Sequence, residues 1–420
     1  MTESSTVDAD EARRLRDAMT DKLVEDGWIA LPAIEAVFRA VPRHTFAPPG
    51  SSLEAAYAND VIRTKFDASG TCLSSVSAPW LQAHMIHQAG VKPGMRVLEV
   101  GSGGFNAALL AEVTGPGGRV VSIDIDPDVT ARAAEGLRAA GYSDKVEVVT
   151  GDGWCPVDSP GSFDAIIVTA GSWDVAPAWR SQLAANGTIV VPLRLHGGWT
   201  RSIAFRAAGD HLSGISAQTC GFVPLQGAGS LVEQSVAFEF PGGGHVLVRC
   251  EDAGVDLSAL PSNLFSQGPS YHWSGIAVPP MTSHADLYLW LAGFERNFCH
   301  VTAHDDAALP GDPDRPGKNR FPAAVIRDRS LCYLTSRRTP DGNWEFGACA
   351  YGPHPETAAD ALLASVADWN RHGRDLAQDA FDYWPDGTTP DASSPSPVSL
   401  LPKRFGAVSI RWPAAQPITT

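Results

Sequence analysis

Glycines and a carboxylate follow two apolar stretches in the first half of the chain, where they could bind a nucleoside. Gly101, Gly103 and Gly104 form a turn between VLEV and a helical segment. Their backbone N–H groups and the positive end of the helix dipole can face a polar ligand group. Asp124 ends the next predicted strand, where its side chain can accept hydrogen bonds from a ribose diol. This order of residues predicts a ribose-binding site.

The segment Gly151-Asp152-Gly153 follows a third predicted strand and suits the edge of an adenine ring. Two cofactors that carry ribose and adenine are then candidates, NAD(P) and S-adenosylmethionine. The NAD(P) fingerprint GxGxxG needs a third glycine at Phe105 or beyond, whereas Glu99 before the turn and the later GDG segment favour S-adenosylmethionine. We therefore expect S-adenosylmethionine as cofactor and S-adenosylhomocysteine as product. The predicted cofactor-binding residues are Glu99, Gly101, Ser102, Gly103, Gly104, Asp124, Ile125, Asp152 and Gly153.

Three serines precede a proline in CLSSVSAPW, residues 72–80. Ser77 suits the N-cap of a helix in the following segment, with Pro79 in its first turn. Because a helix N-terminus also attracts anions, the same segment can border a substrate. Trp80 and Trp173 could wall that substrate site, although packing in the core is the alternative interpretation of both side chains.

Apolar strands alternate with helical segments from Arg96 onward, and this rhythm predicts a parallel sheet covered by helices. Two helices are predicted before it, within residues 8–40, and a hairpin with its turn near Gly209-Asp210 is predicted to close the sheet on one side. The fold class is therefore α/β and Rossmann-like, with N-terminal helices. The predicted strands of the alternating region are RVLEVG, RVVSIDI, KVEVV, FDAIIV and TIVVPL.

The alternation stops after about Leu225, where the chain becomes rich in glycine. We place a domain boundary there, so that residues 1–228 carry the predicted cofactor site and residues 229–420 form a C-terminal α+β domain. Turn and capping residues indicate the elements of this second domain. They are a hairpin over 331–352, a helix over 356–373 with Thr357 as N-cap and Gly373 past its end, an exposed loop over 385–397 and a last strand over 405–412.

The net charge of −15 over 420 residues limits the classes of partner. Nucleic acids and anionic membranes are bound by basic surfaces, so an acidic chain argues against both. The first residues lack the pattern of a secretory signal, and no apolar run is long enough to span a bilayer, so we expect a cytoplasmic protein. The seven cysteines are scattered without a CxxC pair, and we predict neither a disulfide framework nor a metal site.

Seven motifs, in this order, resemble the protein-L-isoaspartate O-methyltransferase family over roughly residues 8–228. The resemblance implies a class I S-adenosylmethionine-dependent methyltransferase with a seven-stranded Rossmann-like sheet. It also implies that Ser77, in the VSAP motif, donates a hydrogen bond to the substrate carboxylate, with Ser74 and Ser75 as weaker candidates. The motifs are AVPRHTFAP (40–48), VSAP (76–79), VLEVGSGGFNAALLA (97–111), VTGDG (149–153), FDAIIVTAG (163–171), GTIVVPL (187–193) and GFVPL (221–225).

Two stretches depart from the family pattern. The turn GSGGF is one residue shorter than the family's usual turn, which affects the expected contacts of Gly104. Residues 61–75 also lack the family's usual lead-in to the serines, and this segment is expected to border the substrate. The second departure indicates that substrate choice differs from that of a repair enzyme.

The added length resembles the FxLD-type methyltransferases of lanthipeptide, lasso-peptide and graspetide biosynthesis. In that group the substrate is a defined Asp in a modified, ribosomally made precursor peptide, and the product is an aspartimide or isoaspartate. On this interpretation residues 229–420 recognise the peptide. The predicted docking surface comprises 271–273, 286–291 and the hairpin turn at 341–344.

Two alternatives stay open. The chain could be an isoaspartyl repair methyltransferase with an accessory domain, which would prefer an isoAsp peptide over an Asp peptide. It could also be a non-catalytic peptide receptor, which would bind cofactor or peptide without turnover. A nucleic-acid methyltransferase is disfavoured by the charge of −15 and by the absence of an NPPY-like motif after FDAIIV.

Overall fold

Two compact units make up the chain, with residues 1–194 and 200–230 in the first and residues 195–199 and 231–420 in the second. They are seen in a computed structural model. The residues that it describes are 3–159, 161–196, 199–252, 254–304, 307, 309, 322–372, 374, 376–390 and 396–415.

The alternating strands and helices after Arg96 build the sheet of the first unit. Five strands run parallel in the order β5-β4-β3-β6-β7, and the hairpin β8-β9 extends the sheet beside β7. This confirms the predicted seven-stranded Rossmann-like sheet and its hairpin. The strands are β1 Ile62–Phe66, β2 Cys72–Val76, β3 Arg96–Val100, β4 Arg119–Asp124, β5 Val146–Thr150, β6 Phe163–Val168, β7 Leu183–Leu195, β8 Trp199–Ala208 and β9 His211–Cys220.

The helices of this unit follow from apolar periodicity and from proline at the first helical turn. α5 follows β3 and is buried on nearly all sides, because its alanines and leucines pack against the sheet and against α2 and α6. The strand pair β1-β2 is a separate antiparallel hairpin. The helices are α1 Glu3–Glu25, α2 Pro32–Ala40, α3 Leu53–Tyr57, α4 Pro79–Ala89, α5 Phe105–Thr114, α6 Pro127–Ala139 and α7 Pro177–Gln182.

The second unit has an antiparallel sheet of seven strands in the order β10-β11-β13-β14-β15-β16-β12, which leaves β12 at one edge. Helix α9 packs on β15, β16 and β12. A further antiparallel group has the order β18-β19-β17. The elements are β10 Gln234–Glu239, β11 His245–Cys250, β12 Ser270–Val278, α8 Ala285–Phe294, β13 Phe298–His304, β14 Ala323–Arg327, β15 Ser330–Arg338, β16 Trp344–Tyr351, α9 Pro355–Arg371, β17 Phe381–Pro385, β18 Val398–Lys403 and β19 Gly406–Arg411.

One capping prediction in the second unit is wrong. Helix α9 begins at Pro355 with His354 at its N-cap, so Thr357 lies inside the first turn. The reason is that Pro355 occupies the first helical position, where its fixed φ favours a helix start. Gly373 and residues 391–395 of the predicted loop lie outside the described residues. Among the helices that the structure describes, none has both the length and the apolar content of a transmembrane span.

Candidate active site

The glycine turn lies between β3 and α5 and requires glycine at two positions. Gly101 has φ of 98°, and a Cβ atom built on it would lie 2.6 Å from Thr169 Oγ1. Gly104, which does not line the cleft, has φ of 81°, and a Cβ on it would lie 2.8 Å from Phe46 Cδ1. Gly103 could carry a Cβ in ordinary van der Waals contact, 3.4 Å from the Ser75 carbonyl oxygen on β2. The backbone of the turn therefore lies close to β6 on one side and to the β1-β2 hairpin on the other.

A cleft opens above this turn, at the carboxyl ends of β3, β4 and β6. Its other walls are β2, the loop after β5 and the segment that follows β9. None of the described residues that line it is a lysine or arginine, which suits a ligand without phosphate groups. The lining residues are Leu73, Ser74, Ser75, Val100, Gly101, Ser102, Gly103, Ile123, Asp124, Ile125, Asp152, Gly153, Thr169, Ala170, Val223, Pro224, Leu225 and Gln226.

Asp124 presents a carboxylate to the cleft from the end of β4. Its Oδ2 accepts a hydrogen bond from Ser102 N at 2.9 Å, and its Oδ1 accepts one from Asp126 N at 3.0 Å. Burial raises the pKa of the Asp124 carboxyl, and the two backbone donors oppose that shift. Each oxygen has a further lone pair, so the fixed carboxylate can accept hydrogen bonds from a diol.

Asp152, after β5, joins two loops at the other end of the cleft. Its Oδ1 accepts a hydrogen bond from Trp154 N at 2.9 Å, and its Oδ2 accepts one from Ala228 N at 2.8 Å. Gly153 is tightly enclosed, because a Cβ there would lie 2.5 Å from Val100 Cγ1. Asp152 therefore fixes the shape of the cleft where an adenine edge was predicted.

Glu99 does not line the cleft but is fully buried beneath the glycine turn. Its Oε1 accepts a hydrogen bond from Asn106 Nδ2 at 2.8 Å, and its Oε2 is hydrogen-bonded to the Ser122 hydroxyl, which lies 2.8 Å from Ser102 Oγ. Burial raises the pKa of the Glu99 carboxyl from 4.5 to about 7, although its hydrogen bonds with Ser122 and Asn106 favour the charged form. Any effect of Glu99 on a bound ligand would thus pass through Ser102.

The raised pKa of Glu99 predicts a pH-dependent effect of Glu99→Gln. The folded protein binds the Glu99 proton more tightly than the unfolded chain does. Protonated Glu99 therefore stabilises the fold below pH 4.5, and this stabilisation is lost as pH rises through about 7. Glutamine keeps the hydrogen bonds without the charge. We expect the free energy of unfolding of the variant, relative to the unsubstituted protein, to increase by up to about 3 kcal/mol from low pH to pH 8.

Urea unfolding at pH 5 and at pH 8 measures this difference. Glu135→Gln, at an exposed position on α6, is the matched control. A stability difference for Glu99→Gln that is the same at both pH values contradicts the expectation.

Ser77 lies between β2 and α4 and does not line the cleft. The prediction that Ser77 is the N-cap of this helix is wrong. Ala78 holds that position without a side-chain cap, because Pro79 already begins the helix. The start of α4 also offers little to an anion. Pro79 has no N–H, and the N–H of Trp80 donates to Asn59 Oδ1 at 3.0 Å.

The Ser77 backbone is anchored, while its hydroxyl is not engaged. The Ser77 carbonyl oxygen accepts a hydrogen bond at 3.2 Å from Nη2 of Arg43, which is fully buried. The same guanidinium donates to the carbonyl oxygens of Ala56, Ala58 and Asp60. None of the hydrogen bonds among the described residues uses the Ser77 hydroxyl, so this group is available to a substrate.

The two candidate tryptophans lie outside the residues that line the cleft. Trp80 packs on Trp28, with 4.6 Å between the ring centroids. Trp173 lies under the guanidinium of Arg194 at 4.5 Å, and its buried Nε1 has no hydrogen-bond partner among the described residues. Their proposed role in walling a substrate therefore stays a prediction.

Several lining residues were not predicted from the sequence. Thr169 follows β6, and its hydroxyl donates to the carbonyl oxygen of Gly101 at 2.9 Å. The segment 223–226 closes the cleft because Gly171 N donates to Val223 O and Leu225 N donates to Gly171 O. Thr169 and residues 223–225 lie in motifs that the resemblance includes, FDAIIVTAG and GFVPL, but none of these residues carries a charge that would have pointed to a ligand.

The arrangement fits the predicted cofactor. A glycine turn, a fixed carboxylate at the end of the second parallel strand and a loop after the third strand surround one cleft. The glycines leave no side chain between the strand ends and a ligand, and Asp124 supplies acceptors for a ribose diol. Within the described residues, no group of three His, Cys, Asp or Glu side chains could hold a metal ion.

The predicted docking surface of the second unit is only partly exposed. The prediction that residues 286–291 belong to this surface is wrong, because Leu287, Leu289 and Leu291 of α8 are fully buried. In contrast, Tyr271 is 40% exposed on the edge strand β12, and its ring stacks on that of Trp273 with 6.3 Å between centroids. A surface platform therefore exists at 271–273.

This platform is held by ionic and hydrogen-bond contacts. The Arg337 guanidinium lies over the Trp273 ring at 4.2 Å and pairs with Glu345 at 2.7 Å. Glu345 Oε1 accepts a hydrogen bond from Gly275 N at 2.9 Å, at an irregularity of β12. The edge of the sheet is thereby fixed in shape with two aromatic rings on one face.

Comparison with known proteins gives consistent matches. A family model described as protein-L-isoaspartate(D-aspartate) O-methyltransferase matches residues 13–230, the end of which coincides with the end of the first unit. The protein-L-isoaspartate O-methyltransferase of Pyrobaculum neutrophilum is 36% identical over 181 residues, 43% of this chain and 84% of that protein. That of Hyperthermus butylicus is 31% identical over 230 residues, 53% of this chain and 92% of that protein. A solved protein-L-isoaspartate O-methyltransferase is 22% identical, with a TM-score of 0.49 over 88% of this chain and 95% of that chain.

Proposed function

This chain belongs to the protein-L-isoaspartate O-methyltransferase family and is an S-adenosylmethionine-dependent carboxyl O-methyltransferase, and from that membership we propose a dedicated substrate. The substrate is a ribosomally made, modified peptide, of which one Asp side chain is methylated and then closes to an aspartimide. The observation that carries the proposal is the second unit, residues 231–420, with its aromatic platform on an edge strand.

The first unit would hold the cofactor through the residues around the cleft. Asp124 would accept hydrogen bonds from the ribose, the turn at Gly101 and Gly103 would hold the amino-acid part, and the Asp152 loop would border the adenine. S-adenosylmethionine supplies an electrophilic methyl carbon when bound. The remaining task of the chain is to bring a carboxylate oxygen in line with that carbon.

The reaction needs positioning more than proton transfer. An Asp carboxylate, with a pKa near ~4, is already ionised at neutral pH, so no general base is required. Alignment alone can contribute roughly 7 to 11 kcal/mol to lowering the barrier. Ser77 is the donor that we propose for the carboxylate. A neutral hydroxyl orients the oxygen without pairing it with a full charge that would weaken its nucleophilicity.

The later closure to a succinimide explains why a methyl ester is formed first. In the ester, methanol can leave where the ionised carboxylate would have to lose an oxide. The backbone nitrogen of the next residue attacks the ester carbonyl, methanol departs with the amide proton, and a succinimide ring forms without further enzymatic help. Hydrolysis of that ring gives Asp or isoAsp.

The second unit supports a peptide substrate. An extended peptide can add to the edge of a sheet through backbone hydrogen bonds, and among the described strands β12 lies at such an edge. Tyr271 and Trp273 present aromatic surface beside that edge, and aromatic side chains commonly dominate peptide binding. We propose that the peptide lies along β12 with its side chains against these rings.

The substrate proposal is tested with three synthetic peptides of one sequence: a linear Asp form, a linear isoAsp form and a thioether-bridged macrocyclic Asp form. We expect the macrocycle to gain one methyl group by mass spectrometry and then to lose methanol. Its kcat/KM should exceed that of the linear isoAsp peptide at least about tenfold. Preference for the isoAsp peptide would favour the repair alternative, and cofactor binding without turnover of any peptide would favour the receptor alternative.

The same assay tests the platform with Trp273→Ala. We expect KM for the macrocycle to rise about tenfold, the usual effect of removing one anchoring aromatic side chain, while affinity for S-adenosylhomocysteine is unchanged. Met281→Ala, at a fully exposed apolar side chain three residues after β12, is the control and should leave KM unchanged. An unchanged KM for Trp273→Ala contradicts docking along β12.

A further inference from the structure

Ser74, on β2, has its hydroxyl oxygen occupied from two sides. Thr64, on the paired strand β1, donates to Ser74 Oγ at 3.1 Å. Arg132 Nη2, on α6, donates to the same oxygen at 3.2 Å and to Thr64 Oγ1 at 2.9 Å. Two donors thus fill the acceptor positions of the Ser74 hydroxyl.

The Ser74 proton consequently has to point elsewhere. No acceptor for it is found among the described residues, and Ser74 is 7% exposed yet lines the cleft. A buried hydroxyl proton without an acceptor is costly, so an oxygen of a bound ligand is the natural partner. The donor direction is fixed before any ligand arrives, because both neighbours of Ser74 Oγ are themselves held.

Arg132 also strengthens this donor. A hydroxyl that accepts a hydrogen bond from a cation is polarised, and its own proton becomes a better donor. The β1-β2 hairpin is kept against α6 by Lys65, whose Nζ lies 2.6 Å from Asp126 Oδ2 and 2.7 Å from Asp128 Oδ2. The Lys65 ion pairs therefore hold the hairpin that carries Thr64 and Ser74 beside the helix that carries Arg132.

Of the other hydroxyls that line the cleft, those of Thr169 and Ser102 are already engaged, while that of Ser75 has no hydrogen bond among the described residues. Thr169 donates to backbone carbonyl oxygens, and the Ser102 hydroxyl is hydrogen-bonded to Ser122. Both cleft carboxylates, Asp124 and Asp152, repel an anionic group. A carboxylate in this cleft therefore depends on the donors that remain. Of the cleft hydroxyls among the described residues, that of Ser74 accepts a hydrogen bond from a cationic side chain, Arg132.

We propose that Ser74 is a preset hydrogen-bond donor to a ligand carboxylate in the cleft, with Arg132 as the residue that positions it. This inference rests on the proposed carboxyl methyltransfer. The carboxylate can come from two sources, the amino-acid end of the cofactor or the side chain of the substrate Asp. Ser74 is distinct from Ser77, which lies beyond the end of β2 and outside the residues that line the cleft.

The test measures binding of S-adenosylhomocysteine and of methylthioadenosine, which lacks the amino-acid end, by titration calorimetry on full-length protein. The variants are Ser74→Ala, Ser74→Thr, which restores the hydroxyl, and Ser74→Cys, which keeps the volume with a weak donor. Ser181→Ala is the matched control, since that hydroxyl donates to Ala178 O at 3.0 Å on α7, outside the cleft-lining set. Thermal unfolding verifies that each variant folds.

If Ser74 holds the cofactor carboxylate, Ser74→Ala and Ser74→Cys lose about tenfold to a hundredfold in affinity for S-adenosylhomocysteine. Affinity for methylthioadenosine then stays constant, and Ser74→Thr recovers the loss. If Ser74 holds the substrate carboxylate, both nucleosides bind with unchanged affinity. The kcat/KM of Ser74→Ala for the peptide substrate then falls about tenfold or more, and Ser74→Thr recovers it.

Unchanged binding and unchanged kcat/KM in Ser74→Ala overturn the inference, as does a loss that threonine fails to recover. Failure of the proposed function gives a different result, since the unsubstituted protein would then either prefer the linear isoAsp peptide, with which kcat/KM is then measured, or methylate none of the three peptides. If no peptide is methylated, the cofactor is the remaining source of a ligand carboxylate, so equal affinities of all variants for S-adenosylhomocysteine overturn the inference.

Discussion

Replacing Gly101 by alanine is expected to lower the affinity for S-adenosylhomocysteine and the methylation rate by at least about a hundredfold. A Cβ at this position would lie 2.6 Å from Thr169 Oγ1, closer than atoms can approach, so the turn or the Thr169 side chain has to move. The φ of 98° adds strain of roughly 1 to 3 kcal/mol for any residue other than glycine. Both effects act where the turn approaches the ligand, and calorimetry with S-adenosylhomocysteine measures the result.

Gly115→Ala is the matched control for Gly101→Ala. Gly115 also has a positive φ, of 65°, at the other end of α5, but a Cβ there meets nothing within 4 Å. We expect it to lower stability by roughly 1 to 2 kcal/mol while cofactor affinity is retained. In the double variant Gly101→Ala/Thr169→Ala, removal of the colliding hydroxyl should restore part of the affinity. Equal cofactor affinities for Gly101→Ala and Gly115→Ala would contradict the close-approach argument.

Ser77→Ala is expected to lower kcat for methyl transfer by roughly tenfold to a hundredfold, the usual effect of losing a hydrogen bond to a charged group. The Ser77 carbonyl remains held by Arg43, so the substitution removes a hydroxyl without freeing the backbone. Affinity for S-adenosylhomocysteine should not change, because Ser77 is not among the described residues that line the cleft. Mass spectrometry of the peptide product measures the rate.

Ser77→Thr serves as the conservative comparison and should retain most of the rate, since threonine keeps the donor. Ser52→Ala is a second comparison, at an exposed position whose serine only caps α3. A Ser77→Ala protein that methylates its peptide at the unsubstituted rate would remove Ser77 from the mechanism.

The sheet could be predicted because local and long-range signals agree. Apolar strands and helices alternate strictly after Arg96, and parallel strands joined by helices have one favoured handedness, so few topologies are possible. Positions 101 and 124 then follow from the ends of β3 and β4. The hairpins at 209–210 and 340–342 were predicted for the same reason, since glycine in a short turn specifies a local structure.

The rest depends on contacts between residues distant in sequence. Arg132 is separated from Ser74 by 58 residues, and no periodicity relates them. Glu99 was expected to contact the cofactor because it precedes the glycine turn, but a strand alternates its faces, and this side chain points into the core below. Helix α8 was expected at a surface because it is aromatic, whereas its residues are apolar on all sides and therefore buried.

The hydrogen bond from Ala228 N to Asp152 has a practical consequence for anyone who shortens this protein. The residues just after the GFVPL motif belong to the first unit and do not only connect it to the second. Ala228 contacts the cleft residue Asp152, and Gly229 packs so closely on Trp154 that a side chain could not be added. A fragment cut at Leu225 would expose the indole and leave the aspartate with one backbone partner fewer. An excised methyltransferase unit should therefore extend through Ser230.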